Sequence, residues 1–270
     1  MFSFFKSKPT VSLIRLNGII GNLGRFSQGM SFASQSDTIK RAFALKNIKA
    51  VVISINSPGG SPVQSNLLYD LIRSEADDKK VRVITYAEDV AASGGYMLMC
   101  AGDEIYANVN SIVGSIGVIY SGFGFQEFIK KIGIQRRVHT AGESKSILDP
   151  FLDEKKEDIE KLKSLQKDLH EEFINLVKNS RKGKIKSENY STLFSGEFYS
   201  GKKSLQLGLI DGVGTLQVIL KDKFGKDLKV KKFEVAQSWL KRKLSSQLSG
   251  SYSEVINELE VRSIWNKYGL

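Results

Sequence analysis

Apolar and polar positions follow two periods along this chain. "VSLIRLNGII" (11 to 20) and "IKAVVISINS" (48 to 57) are runs rich in β-branched residues, the second ending in Pro-Gly-Gly, and both predict strands. Between them "SDTIKRAFALKN" carries Ile39, Ala42, Phe43 and Leu45 at helical spacing, with Ser36 or Asp37 as the expected cap. After Gly60, "SPVQSNLLYDLIRSEAD" repeats the helix signature, with Pro62 in the first turn and Leu67, Leu68, Leu71 and Ile72 on one face. "VRVITYAE" predicts a third strand, "DEIYANV" a short fourth, "GFGFQEFIKKIG" a helix and "IQRRVHTAG" a further strand.

A long helix is expected from 153 to 179, where Ile159, Leu162, Leu165, Leu169, Phe173, Leu176 and Val177 form one apolar stripe. "SGEFYSGKKSLQLGLIDGVG" predicts a turn and a short helix. Strands alternating with helices imply βαβ units around a mostly parallel sheet, an α/β fold.

Composition changes this picture little. With 41% apolar and 26% charged residues, four prolines and no internal repeat, the 270 residues read as globular, in one or two domains. Charge changes it more. Of the net +11, the 23 residues 221 to 243 contribute nine basic against three acidic, or +6, which argues for a local basic surface. Within this basic C-terminal region, Val235, Trp239, Leu240, Leu244 and Leu248 share one helical face, with Lys241, Arg242 and Lys243 opposite. Such a basic amphipathic helix suits an anionic membrane surface or a partner groove.

Cys100 is the only cysteine and His139 and His170 the only histidines, which excludes an intramolecular disulfide and a cysteine-based metal cluster. The N-terminal "MFSFFKSKP" is too short for a signal-peptide core, and no window reaches the ~18 apolar residues of a membrane span. The expectation is a cytoplasmic chain with peripheral contact to the inner face of a membrane.

Two glycine-rich turns carry the candidate chemistry. "NSPGGS" (56 to 61) and "AASGGY" (91 to 96) each follow a strand, so neighbouring strands would bring them to one sheet edge. Neither has the spacing of a phosphate-binding loop. Acyl transfer fits better, because it needs an exposed nucleophile and two amide donors aimed at an oxyanion. Ser93 would supply the first. The amide of Gly94 and that of Gly59 or Gly60 would supply the second. Serine also needs a base. His139 is a candidate by type; a lysine is another, although at an unperturbed pKa near ~10.4 only about one in 2,500 is neutral at pH 7, so it must sit in an enclosed site.

"INSPGG", "AASGGY", "VGSIGV", "AGESKS" and "YSGKKSLQLGLIDGVG" occur in the order and spacing of the bacterial signal peptide peptidase A family, which this chain resembles from about residue 10 to 220. The resemblance implies a ClpP/crotonase-like spiral of βαβ units with a long helical arm. By position it implies that Ser93 is the nucleophile, Lys145 the base and Ser115 its hydrogen-bonding partner, with Gly60 and Gly94 as oxyanion donors. ClpP-type proteases carry a histidine about 25 residues after the serine, where this chain has Val118, so His139 becomes a bystander.

The implied division is a flexible terminus (1 to 9), a peptidase domain (10 to 220) and a basic extension (221 to 270). The implied partners are apolar peptide substrates, such as signal-peptide remnants, and further copies of the chain, in a homo-oligomer whose active sites lie between subunits. No metal, organic cofactor or nucleic acid is called for. The rival readings are a crotonase-type acyl-CoA enzyme using Glu88, Asp89, Asp103 or Glu104, and a non-catalytic oligomeric scaffold.

Overall fold

The computed structural model of the 270-residue chain describes residues 8–21, 29–142, 144–235 and 262–270. Strand β1 (Thr10–Asn17) leads into helix α1 (Phe32–Phe43), strand β2 (Ala50–Ser57), helix α2 (Pro62–Lys79) and strand β3 (Val83–Ala92). Helix α3 (Gly94–Met99), strands β4 (Glu104–Ala107) and β5 (Ile112–Gly114), helix α4 (Gln126–Lys131) and the 25-residue helix α5 (Lys156–Ser180) follow. Short helix α6 (Tyr190–Leu193), strand β6 (Phe198–Ser200), helix α7 (Gly201–Gln206), strand β7 (Gly212–Val213), helix α8 (Leu216–Phe224) and strand β8 (Lys229–Phe233) complete the order.

Among the described residues eight strands form one sheet: six run in the order β6-β5-β3-β2-β1-β8, and β4, which carries β7, branches from β3; all pairs are parallel except β5 with β6. β3 forks along one edge. Its first half pairs with β4 (Ile84 with Glu104) and its last three residues pair with β5 (Ala92 with Gly114). One face carries the main core, in which Ile14, Ile53, Ile55, Leu68, Ile72, Tyr96 and Leu98 are packed without water. On the other face Leu220 of α8 covers Val11, Val52 and Ile84. A fully buried aliphatic side chain of this kind contributes about 1.5–3 kcal/mol.

Two sequence expectations are corrected. Helix α1 starts earlier than Ser36 or Asp37, because Ser31 caps it: its hydroxyl accepts from the Ser34 amide at 3.3 Å while the Ser34 hydroxyl accepts from the Ser31 amide at 3.0 Å. Asp37 instead pairs with Arg41 one turn on. The strand expected over "IQRRVHTAG" is absent; the segment is irregular and exposed, for strand propensity is realised only where a neighbouring strand and a packed face exist. The apolar stripe of α5 is fully buried only at Phe173 and Val177, and Leu165 is 56% exposed. Within the basic region, β8 pairs in parallel with β1, from Thr10 opposite Lys229 to Ile14 opposite Phe233. The N-terminal "MFSFFKS" and the amphipathic stretch after Val235 lie outside the described residues.

Candidate active site

Three segments leave the same end of the sheet. β2 and β3 pair through Ser57 and Ala91, and β3 and β5 through Ala92 and Gly114. The residues that come next in each segment, the 58–60 turn, Ser93 and Ser115, therefore converge. The sequence predicted the first two as neighbours, and the structure brings the third beside them.

Ser93 stands where buried β3 turns at once into α3, all six residues of which are buried. The turn is sharp enough to hold Ser93 at φ 53° and ψ −122°, a backbone region that non-glycine residues rarely adopt and that costs on the order of 1–3 kcal/mol. It is held there from several sides. The Ser93 amide donates to the Gly114 carbonyl at 2.8 Å and its carbonyl accepts from Met97 at 3.0 Å. Gly59 presses so close that a Cβ on it would lie 2.7 Å from the Ser93 Cβ. The hydroxyl makes no capping bond to α3, and the residue is half-buried.

The 59–60 turn is pinned to Ile20, whose amide donates to the Gly59 carbonyl at 2.8 Å and whose carbonyl accepts from Ser61 at 2.7 Å. Gly60 has φ 144°, and a Cβ there would meet the Ile20 oxygen at 2.0 Å, so glycine is required. The Gly59 amide is engaged by the Ser57 hydroxyl at 3.2 Å. Among the described residues the amides of Gly60 and Gly94 donate to no acceptor within the chain. That favours Gly60 over Gly59 as the second donor.

Ser115 is buried at φ 53° and its amide donates to the Glu197 carbonyl at 2.7 Å. Tyr268, from the last described segment, packs on Val90 and Ala92, its ring 5.3 Å from that of Phe198. Burial pushes the Tyr268 phenol up, and the neighbouring Ser115 hydroxyl pulls it partly back. His170 of α5 reaches the next carbonyl, that of Ile116, at 3.1 Å. Sequence patterning passed over both residues. His170 had a signal, three positions before Phe173 and seven before Val177 on the apolar face of α5.

Lys145 lies in an exposed turn, its amide donating to the Gly142 carbonyl at 3.2 Å. Among the described residues its ammonium has no hydrogen-bond or ion-pair partner, so the single chain does not join it to Ser93 or Ser115. His139 is exposed on the irregular 134–142 segment. The surrounding stretch folds on itself: the Phe125 amide donates to the Pro150 carbonyl at 2.6 Å, Phe125 stacks on Phe151 at 5.6 Å, and Arg136 pairs with Asp149 at 3.0 Å.

The carboxylates of the acyl-CoA alternative are engaged elsewhere. Glu88 accepts from Arg15 at 2.6 Å and from Ser54 at 2.6 Å; burial pushes its carboxyl up, but these bonds outweigh it and leave it below the usual range. Asp103 accepts from the Val83 amide at 2.7 Å and from Arg73, and Glu104 is bound by Lys223 and Tyr106. Asp89 accepts from Asn56 at 3.1 Å.

Comparison with known proteins adds the family. The chain is 45% identical over 273 residues to a Brucella abortus protein named Na(+)/H(+) antiporter NhaA, a match covering 96% of this chain but 37% of that protein. It is 30% identical to the chloroplastic serine protease SPPA of Arabidopsis thaliana, over 92% of this chain and 37% of that one. The chain thus spans little more than a third of these relatives. Among its described residues no helix is long and apolar enough to cross a membrane. In fold it resembles a substituted form of the membrane-bound stomatin-specific protease 1510-N, with a TM-score of 0.51 at 16% identity, covering 86% of this chain and all of that one. The pattern of peptidase family S49 matches residues 75–230, more than half of the chain and including Ser93, Ser115 and Lys145, and the chain belongs to that family.

Proposed function

We propose that this chain is a serine endopeptidase in which Ser93 attacks a peptide carbonyl and Lys145 of a neighbouring copy serves as base. The observation that carries the proposal is the strained, uncapped Ser93 held against the Gly59–Gly60 turn, with two unengaged glycine amides beside it. Neutral lysine takes the hydroxyl proton, Ser93 forms the acyl bond, and the Gly60 and Gly94 amides hold the tetrahedral oxyanion. The lysine then protonates the leaving amine, and water hydrolyses the acyl-enzyme. Ser115, beside Ser93, keeps the lysine oriented.

Exposure supports the neighbouring copy. Lys145 stands in solvent in the single chain, and an amine becomes a competent base only in an enclosed site. Ile119, Phe123, Phe128 and Ile132, in the stretch between Ser115 and Lys145, and Leu165 of α5 are exposed, apolar side chains of a kind that calls for a partner. A second copy packed on these residues would cover them and enclose the amine.

The substrate class is apolar peptides, signal-peptide remnants among them. The place of work is the cytoplasmic face of a membrane, supported by an antiporter-named and a membrane-bound relative and by the basic C-terminal region. The acyl-CoA reading loses support because Glu88, Asp103 and Glu104 are held by cations or backbone donors.

A serine-reactive phosphonate and an apolar fluorogenic peptide, applied to wild type, Ser93→Ala and Lys145→Met, test the proposal. Wild type should be labelled and active and both variants silent. Hydrolysis retained by either variant overturns the assignment.

A further inference from the structure

Three consecutive residues beside Ser93 are tied to three different parts of the fold. The Gly114 carbonyl accepts from Ser93, the Ser115 amide donates to Glu197, and the Ile116 carbonyl meets His170 Nε2. Ser115 in the middle is held at φ 53°, and such a conformation persists only where its surroundings over-determine it. Two of the three ties are backbone to backbone and come with the sheet. The third is a side chain on α5.

A carbonyl oxygen only accepts, so His170 must carry its proton on Nε2 to make the 3.1 Å contact. The imidazole is then a fixed donor aimed at the 116–117 peptide, one unit beyond the peptide that follows Ser115, and not a base aimed at Ser93. Ile116 is fully buried, and β5 ends at Gly114, so the sheet ladder no longer fixes the next peptide planes. Freeing the 116–117 peptide would loosen the backbone on the C-terminal side of Ser115, and with it the hold on the φ 53° conformation that sets the direction of its hydroxyl.

We infer that His170 is a positioning residue for the peptidase reaction, holding Ser115 in its strained conformation through the Ile116 carbonyl; the inference rests on the serine–lysine reading. Glutamine can place an amide nitrogen where Nε2 stands, whereas asparagine reaches only as far as Nδ1. The pair therefore separates the hydrogen bond from polarity and fold.

Steady-state hydrolysis and phosphonate labelling are measured for wild type, His170→Asn, His170→Gln and Ser93→Ala, with a melting curve for each. His170→Asn should lose about ten- to hundredfold in kcat with KM within about twofold, the signature of lost orientation rather than lost binding. His170→Gln should recover most of that loss at an unchanged melting temperature. Equal kcat in the asparagine variant and wild type overturns the inference, as does a folded glutamine variant no better than the asparagine one. Activity surviving in Ser93→Ala instead overturns the serine–lysine reading itself.

Discussion

The amide of Ser93 donates to the carbonyl of Gly114 at 2.8 Å, so the head of α3 and the residue before Ser115 are locked by one hydrogen bond. The pairing of Ala92 with Gly114 on adjacent parallel strands makes it so. Both serines sit at φ 53°, immediately beyond that pair. Ser115→Ala keeps the backbone and removes the hydroxyl. A hydrogen bond to a charged or titrating amine is worth about 1.5–3 kcal/mol, which predicts a loss of roughly ten- to hundredfold in kcat with the melting temperature unchanged. Stopped assays at saturating peptide check this; full activity would remove Ser115 from the mechanism.

Gly94 is required for space. A Cβ there would lie 2.3 Å from Ser65 Oγ and 3.3 Å from the Ser65 Cβ. Gly94→Ala should destabilise by about 1–3 kcal/mol, the usual cost of overpacking. Ser65→Ala removes the nearest atom at the expense of its 2.8 Å bond to the Ser61 carbonyl. The double variant should therefore be more stable than the two single effects predict when added. Denaturant melts of the four proteins check the sign of that coupling.

Much of this was legible in the chain because β2, β3, α2 and the glycine turns declare themselves by alternation, helical spacing and composition. The site is built where those signals meet. What was not legible depends on contacts distant in sequence. β8 hides in a lysine-rich run, and only its pairing with β1 makes a strand of "KVKKF". "IQRRVHTAG" shows the converse, since residues with strand propensity stay irregular without a partner. Ser31 was missed because its helix-capping bond is made to another serine, not to the acidic residue that usually marks such a box.

Acid stability should report on Asp211. Burial pushes its carboxyl up, but Arg181 at 2.9 Å, Lys184 at 2.6 Å and the Ile105 amide at 2.8 Å overcome this and hold it down at about 2. A carboxylate lowered on folding stabilises the native state above its unfolded pKa, near ~3.9, and that contribution is lost as pH falls through the folded value. Asp211 should therefore contribute on the order of 1–2 kcal/mol at neutral pH, fading between about pH 4 and 2. Asp211→Asn should lose stability at pH 7, because it leaves buried Arg181 without its carboxylate, and the gap from wild type should narrow toward pH 2. A gap that is constant with pH would show that the charge is not what matters.

The proposed sharing of the site between copies makes the sharpest prediction. Ser93→Ala supplies an intact Lys145 and Lys145→Met an intact Ser93, so each homo-oligomer alone should be inactive. Co-expressed in equal amounts and assembled at random, they place an intact serine against an intact neighbouring lysine in about a quarter of sites. Activity near that fraction of wild type should appear in the mixed assembly and vanish on dilution below the dissociation constant of the assembly. If serine and lysine instead met within one chain, every protomer would carry one defect and mixing would restore nothing. Phosphonate labelling confined to the Lys145→Met subunits of the mixture would identify which copy contributes the nucleophile.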